Sequence, residues 1–260
     1  MEYQTLSYDV DGSIGILTYN RPEVVNAINR EMLDELNHFW NERQNDLGVR
    51  VLILRGAGDK GFCSGVDLKD AFEEGGGFRK QGVSSEAIYY SQKGFSKIIR
   101  LMRTCPQPII AAVHGYALGG GLSFAIASDI RLASRDAVFC AQYINIGLGG
   151  ADVGSSYFLW RIVGWGHAAE MCMTGNRVPA DEAYRIGLVN RLCEPGELFL
   201  SARAMAEEMI GKSPMGLRMT KEALNAGINL SSLDDATKVE DRNQAYLMAS
   251  MLIKQQGEDS

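Results

Sequence analysis

Pro108-Ile109-Ile110-Ala111-Ala112-Val113-His114-Gly115-Tyr116-Ala117-Leu118-Gly119-Gly120-Gly121 is the stretch that decides the fold. Pro106 and Pro108 end the helical spacing before it, since proline lacks the N–H a helix needs. Ile109 to Val113 (IIAAV) is a short apolar run and reads as a buried strand. The glycine triplet then opens a small-residue helix, Leu122 to Ser128. Glycine there lets a ligand approach main-chain N–H groups, and a helix N-terminus adds partial positive charge.

Upstream, Ser13 to Tyr19 (SIGILTY) reads as a strand and Glu31 to Asp46 as an amphipathic helix. Val49 to Leu54 (VRVLIL) reads as a second, buried strand closed by Gly56. A second glycine-bearing segment, Phe62-Cys63-Ser64-Gly65-Val66-Asp67-Leu68, follows it. Ile88 to Arg103 has helical spacing, with Ile98, Ile99 and Met102 on one face. Between them, Gly75-Gly76-Gly77 with charged flanks reads as a mobile loop. Downstream, Ile130 to Ala133 and Val138 to Ala141 read as short strands. From Tyr157 the pattern is helical, broken around Pro179, Pro195 and Pro214. Strands and helices in alternation imply an α/β sheet with crossover helices, the helical last third capping it or building an interface.

The 260 residues are enough to bury a full core. With 46% hydrophobic and 22% charged residues, the composition is that of a globular protein. A formal net charge of −6 argues against nucleic acid or an anionic membrane as partner. No apolar run reaches the ~18 residues of a membrane span, and the polar N-terminus lacks a secretion pattern. Cys63, Cys105, Cys140, Cys172 and Cys193 are odd in number, without a C-x-x-C pair. That suits a reducing, cytoplasmic setting and argues against a disulfide framework or a zinc ribbon.

Rival phosphate and nucleophile motifs fail on spacing. Gly211-Lys212-Ser213 mimics the end of a P-loop, but Ala206 stands where its first glycine belongs. In Gly147-Leu148-Gly149-Gly150-Ala151-Asp152, Asp152 occupies the last glycine of G-x-G-x-x-G. Gly61-Phe62-Cys63-Ser64-Gly65 has its serine one place late for a nucleophile elbow. Two glycine-flanked amides converging on one carbonyl oxygen would instead make an oxyanion hole. Either cluster alone also reads as a turn or packing device.

The motifs together resemble the crotonase (enoyl-CoA hydratase/isomerase) superfamily. Asn20-Arg21-Pro22-Glu23 with Asn26-Ala27 is similar to its N-terminal signature. Phe62 to Leu68 and Pro108 to Gly121 resemble its two oxyanion segments. Ser128-Asp129-Ile130-Arg131, Arg161-Ile162-Val163-Gly164, Ala183 to Val189 (AYRIGLV) and Ala223-Leu224-Asn225 extend the likeness in the family's order.

The resemblance implies an α/β fold: a crotonase-like spiral of ββα units over residues 1–195, with a helical capping or trimerisation region over 196–260. It implies a homotrimer or a hexamer built as a dimer of trimers. The substrate would be an acyl-CoA thioester, with no metal and no cofactor other than the coenzyme A of the substrate. Val66 and Gly120 N–H would grip the thioester oxygen. Residues Val66, Asp67, Leu68 and Lys69 would lie along the acyl-CoA, with Ala27 and Ser64 near the nucleotide end and Gly120 and Ser123 by the acyl group. Hydratases of the family carry two glutamates at positions held here by Ser123 and Tyr143. Asp152, in Gly150-Ala151-Asp152-Val153-Gly154, resembles the aspartate of dienoyl-CoA isomerases and aroyl-CoA dehalogenases. No histidine lies between Leu68 and Pro106 to serve dehalogenation.

Asp152 therefore reads as acid, base or nucleophile, or else as the cap of the helix that follows. Tyr143 reads as a donor to the acyl group or as packing. The expected reaction is isomerisation or atypical hydration of an enoyl-CoA, against CoA-thioester hydrolysis, C–C cleavage or an inactive CoA-ester-binding protein. Relatives often carry an apolar, basic helix over the CoA where this chain has the polar stretch Lys254 to Ser260, so the resemblance leaves the hold on the adenine end open.

Overall fold

A computed structural model describes residues 2–73, 75–81 and 84–258. The expectation for Lys254 to Ser260 concerns side chains outside those described. In chain order the elements run β1 (Leu6–Asp11), β2 (Ile14–Tyr19), α1 (Arg30–Arg43), β3 (Val51–Gly56), α2 (Leu68–Phe72) and α3 (Ser85–Thr104). There follow β4 (Ile109–Val113), β5 (Tyr116–Leu118), α4 (Gly120–Ala127), β6 (Ile130–Ser134), β7 (Val138–Cys140) and α5 (Ser155–Thr174). The chain continues with β8 (Val178–Pro179), α6 (Ala180–Arg185), β9 (Arg191–Cys193), α7 (Leu198–Ile210), α8 (Pro214–Gly227) and α9 (Leu233–Glu258).

The main sheet has the order β1-β2-β3-β4-β6-β9, antiparallel only between β1 and β2. Its parallel strands are covered on both faces, so their apolar residues alternate between two cores. Leu52, Leu54, Ile109, Ala111 and Val113 face α1, α3 and α4. Val51, Ile53, Ile110 and Ala112 face α7, which buries Leu198, Ala202 and Ala206 against them. The reading of Ile109–Val113 as a strand is matched residue for residue, and the helix expected at Ile88 to Arg103 is α3. In α3, Ser84 Oγ accepts the Ala87 N–H as N-cap, and the second half buries Phe95, Ile98, Ile99 and Met102.

Three corrections follow from the structure. The polar N-terminus forms β1, an edge strand with one wall to solvent, so Ser7, Tyr8 and Asp9 do not betray it. The run Tyr116–Leu118 is β5, which starts a small second sheet, β5-β7-β8, within the glycine-rich stretch. The segment after Tyr157 is not wholly helical: β8 pairs with β7, and β9 closes the main sheet beside β6. Strands of two and three residues are too short to impose a period of two. The glycine run before α3 is held by the Gly77 N–H, which donates to Asp70 Oδ1 at 2.7 Å.

Candidate active site

The two glycine-bearing segments lie side by side. Phe62 and Cys63 N–H donate to the His114 and Tyr116 carbonyls, and Leu118 N–H returns to Cys63 O. Gly65 has φ +90°, and a Cβ there would sit 2.8 Å from Leu118 O and 3.3 Å from Gly120 N. Such an approach is open only to glycine.

This pairing uses up the surrounding amides in a specific way. Gly65 O accepts from Ile28 N–H, Asp67 N–H donates to Ile28 O, and Gly119 N–H donates to Cys140 O. Among the described residues, the Val66 and Gly120 N–H groups have no acceptor. Gly120 is the first residue of α4, whose opening N–H groups have no partner within the helix.

Both residues line one cavity of about 420 Å³. Its walls are largely apolar: Phe72, Phe78, Ile88, Phe95, Leu148 and Val153. Tyr143 and Asp152 line the same cavity. Among the described residues, Asp152 is the sole carboxylate and Arg79 the sole cation of the lining. Asp152 Oδ1 accepts from the Gln92 side-chain amide at 2.6 Å and from Val153 N–H at 2.7 Å. Val153 has φ +46°, a strained conformation for a β-branched residue. Asp152 does not cap the following helix with its side chain. The N-cap of α5 is Gly154, and Asp152 meets the helix by its main chain, its carbonyl accepting the Ser155 N–H at 2.9 Å.

The remaining sequence candidates are placed around the cavity rather than in it. Ser123 is fully buried, and its hydroxyl shares a 2.7 Å hydrogen bond with Tyr143. Burial drives the Tyr143 phenol well above its ordinary range, with the Ser123 hydrogen bond opposing, so it stays neutral. Asp67 N-caps α2 through the Asp70 N–H and pairs with Arg21 at 2.9 Å. Arg21 also donates to the Ala27 carbonyl at 2.6 Å. Ser64 bonds the Val24 carbonyl at 3.3 Å, while Leu68 and Lys69 are exposed on α2. Sequence reading missed Gln92, Ser91 and the aromatic wall. A glutamine in an amphipathic helix looks like any solvated position until Asp152 is brought beside it. Among the described residues no three His, Cys, Asp or Glu side chains are grouped to hold a metal.

The α/β fold that carries this cavity is shared with proteins of known class. The family model for enoyl-CoA hydratase/isomerase matches residues 9–259. The chain belongs to the enoyl-CoA hydratase/isomerase family. It is 35% identical over 232 residues to a short-chain-enoyl-CoA hydratase of Clostridium acetobutylicum, covering 88% of this chain and 84% of that protein. The fold matches an enoyl-CoA hydratase of Mycobacterium smegmatis with a TM-score of 0.86 at 31% identity, over 94% of this chain and 91% of that one. A monofunctional enoyl-CoA isomerase from M. smegmatis matches with a TM-score of 0.74 at 33% identity, over 90% and 98% of the two chains. The fold class and family expected from the sequence hold, and the family covers both hydration and isomerisation.

Proposed function

We propose that this member of the enoyl-CoA hydratase/isomerase family shifts a double bond in an enoyl-CoA by proton transfer through Asp152. The observation that carries the reading is one carboxylate, Asp152, in a cavity whose lining also includes Val66 and Gly120, the owners of two unpartnered amides. In this reading the thioester oxygen lies between those two N–H groups. Asp152 removes a proton from the γ-carbon, and the electron pair moves through the conjugated chain to the thioester oxygen. The dienolate so formed is stabilised by the two donors, each worth ~3 kcal/mol. Asp152 returns the proton to the α-carbon, so the substrate gains and loses nothing.

Syn-addition of water calls for a base and an acid, and Ser123 with Tyr143 supplies no carboxylate for that pair. A largely apolar, partly aromatic wall suits a bulky, branched or cyclic acyl group. The CoA would run over Val66 to Lys69, with Ala27 and Ser64 at its nucleotide end, and no other cofactor is called for. Atypical hydration is the second reading, favoured by the likeness to the Clostridium hydratase, with Asp152 activating water and Tyr143 donating. Assembly as a trimer or dimer of trimers is supported by exposed apolar residues on α9: Tyr246, Met248, Met251, Leu252 and Ile253. Five free thiols support a reducing, cytoplasmic setting.

Mass spectrometry of crotonyl-, dienoyl- and cyclohexenecarbonyl-CoA incubated with the protein in deuterated water tests the reaction. Deuterium uptake at unchanged connectivity is the expected result. A gain of water moves the assignment to hydration, and release of free CoA moves it to hydrolysis. Asp152→Asn should abolish turnover while CoA-ester binding persists; turnover that survives removes Asp152 from the mechanism.

A further inference from the structure

We propose that Gln92 is a positioning residue that fixes the Asp152 carboxylate, so that one of its two oxygens, Oδ2, exchanges the proton. This rests on the reading of Asp152 as the acid–base group.

The two oxygens of Asp152 are unequal. Oδ1 accepts from Gln92 Nε2 at 2.6 Å and from Val153 N–H at 2.7 Å. Oδ2 has no donor among the described residues. A carboxylate with two donors on one oxygen is held against rotation, and the other oxygen keeps its lone pairs for chemistry. The main-chain donor comes from a residue in the left-handed region, Val153 at φ +46°, flanked by Gly154 at +86°. Backbone held in that way beside a reacting group is a device for aiming it.

Gln92 supplies the donor from a different element. Ala87, Ile88, Ser91, Gln92 and Phe95 lie on one face of α3 and all line the cavity. The acyl group would pack on the same helix face that carries the amide. Gln92 is exposed in the open cavity. An acyl chain laid over it would exclude water and strengthen its bond to the carboxylate. A substrate that fits α3 thus aligns the base, and one that fits poorly leaves it loose. Gln92 is also dispensable for folding, because the buried contacts of α3 are made by Phe95, Ile98, Ile99 and Met102.

Gln92→Met keeps the length of the side chain and removes the donor. The expected result is a fall in kcat of about tenfold, the loss of one hydrogen bond to a charged group. KM should stay within about twofold, since ground-state binding keeps its apolar wall, and the melting temperature should not move. An unchanged kcat overturns the proposal, and so does a rise in KM at constant kcat, which would make Gln92 a binding contact. Asp152→Asn, measured beside it, separates the two levels. If it removes turnover while Gln92→Met is silent, the positioning role alone falls. If it leaves turnover intact, the acid–base reading falls and the positioning role with it.

Discussion

Ser123 and Tyr143, the two positions that the family resemblance assigns to a hydratase's glutamates, share a 2.7 Å hydrogen bond inside the protein. Each satisfies the other's hydroxyl, and Ser123 is wholly shut off from solvent. The pair is an internally satisfied polar unit that meets the cavity through Tyr143 alone among its two members.

Ser123→Glu should therefore not restore hydratase chemistry. A carboxylate at a fully buried position beside a neutral phenol lacks a cationic partner and must expel Tyr143 or be desolvated. The expected cost is about 3 kcal/mol of stability. Tyr143→Phe, which leaves the Ser123 hydroxyl short of one partner, should cost about 1 kcal/mol. Urea unfolding of both variants checks the order. A stable Ser123→Glu protein that gains hydratase activity would show the site to be more open than it is here.

Gly65→Ala tests the pairing of the two segments. The new Cβ would stand 2.8 Å from Leu118 O and 3.3 Å from Gly120 N, at a backbone φ of +90°. Neither neighbour is a flexible side chain, so the segments must separate and the Val66 and Gly120 amides lose their alignment. Turnover should fall by about 10²-fold or more, the loss seen when one oxyanion donor is removed. The comparison is a steady-state assay against Gly12→Ala, where a Cβ meets nothing within 4 Å.

Much of this architecture was legible because it depends on strong local patterns. Ile109–Val113 has an apolar residue at every position, as a strand buried on both faces requires. The glycines at 65 and 119–121 announce close backbone approach, and Asp152 stands out in a motif of small residues. The rest depends on distant parts of the chain meeting. Gln92 and Asp152 are 60 residues apart, and nothing in α3 alone distinguishes Gln92 from other solvated positions on that helix. Phe72 and Phe78 flank a glycine run that has no period to read. The free amides of Val66 and Gly120 emerge only when their neighbours' bonds are assigned one by one.

Lys221 marks how the C-terminal helices are attached. Its ammonium group is buried, donates to the Gln107 and Met102 carbonyls at 2.7 and 3.1 Å, and pairs with Asp129 at 3.0 Å. Asp129 in turn accepts the Ile109 N–H at 2.8 Å, so α8 is tied to the start of β4. Lys221→Met leaves a partly buried carboxylate with one cation fewer and two carbonyls short of a donor. The expected loss is about 3 kcal/mol, read as a lowered denaturant midpoint. An unchanged midpoint would mean that α8 is held by its apolar contacts alone.

Alkaline pH should unfold the protein through buried groups packed around the two glycine-bearing segments. Burial pushes the Cys63 thiol up from 9.0 to about 12, its bond with Gly65 opposing. Tyr19, which is fully buried, and Tyr143 are raised by the same desolvation. A thiol whose folded pKa is raised holds its proton more tightly in the folded state. Its stabilising contribution is complete below pH 9 and disappears as pH rises from 9 towards 12, at about 1.4 kcal/mol per pH unit for one group. The two tyrosines act with the same sign, beginning near pH 10. Urea midpoints should hold steady from pH 7 to 8.5 and then fall steeply. In Cys63→Ala the fall should begin about one unit later, when the phenols take over. A wild-type midpoint that is flat to pH 11 would mean that Cys63 and the two phenols are hydrated in solution, and the packed core around the two glycine segments would have to be redrawn.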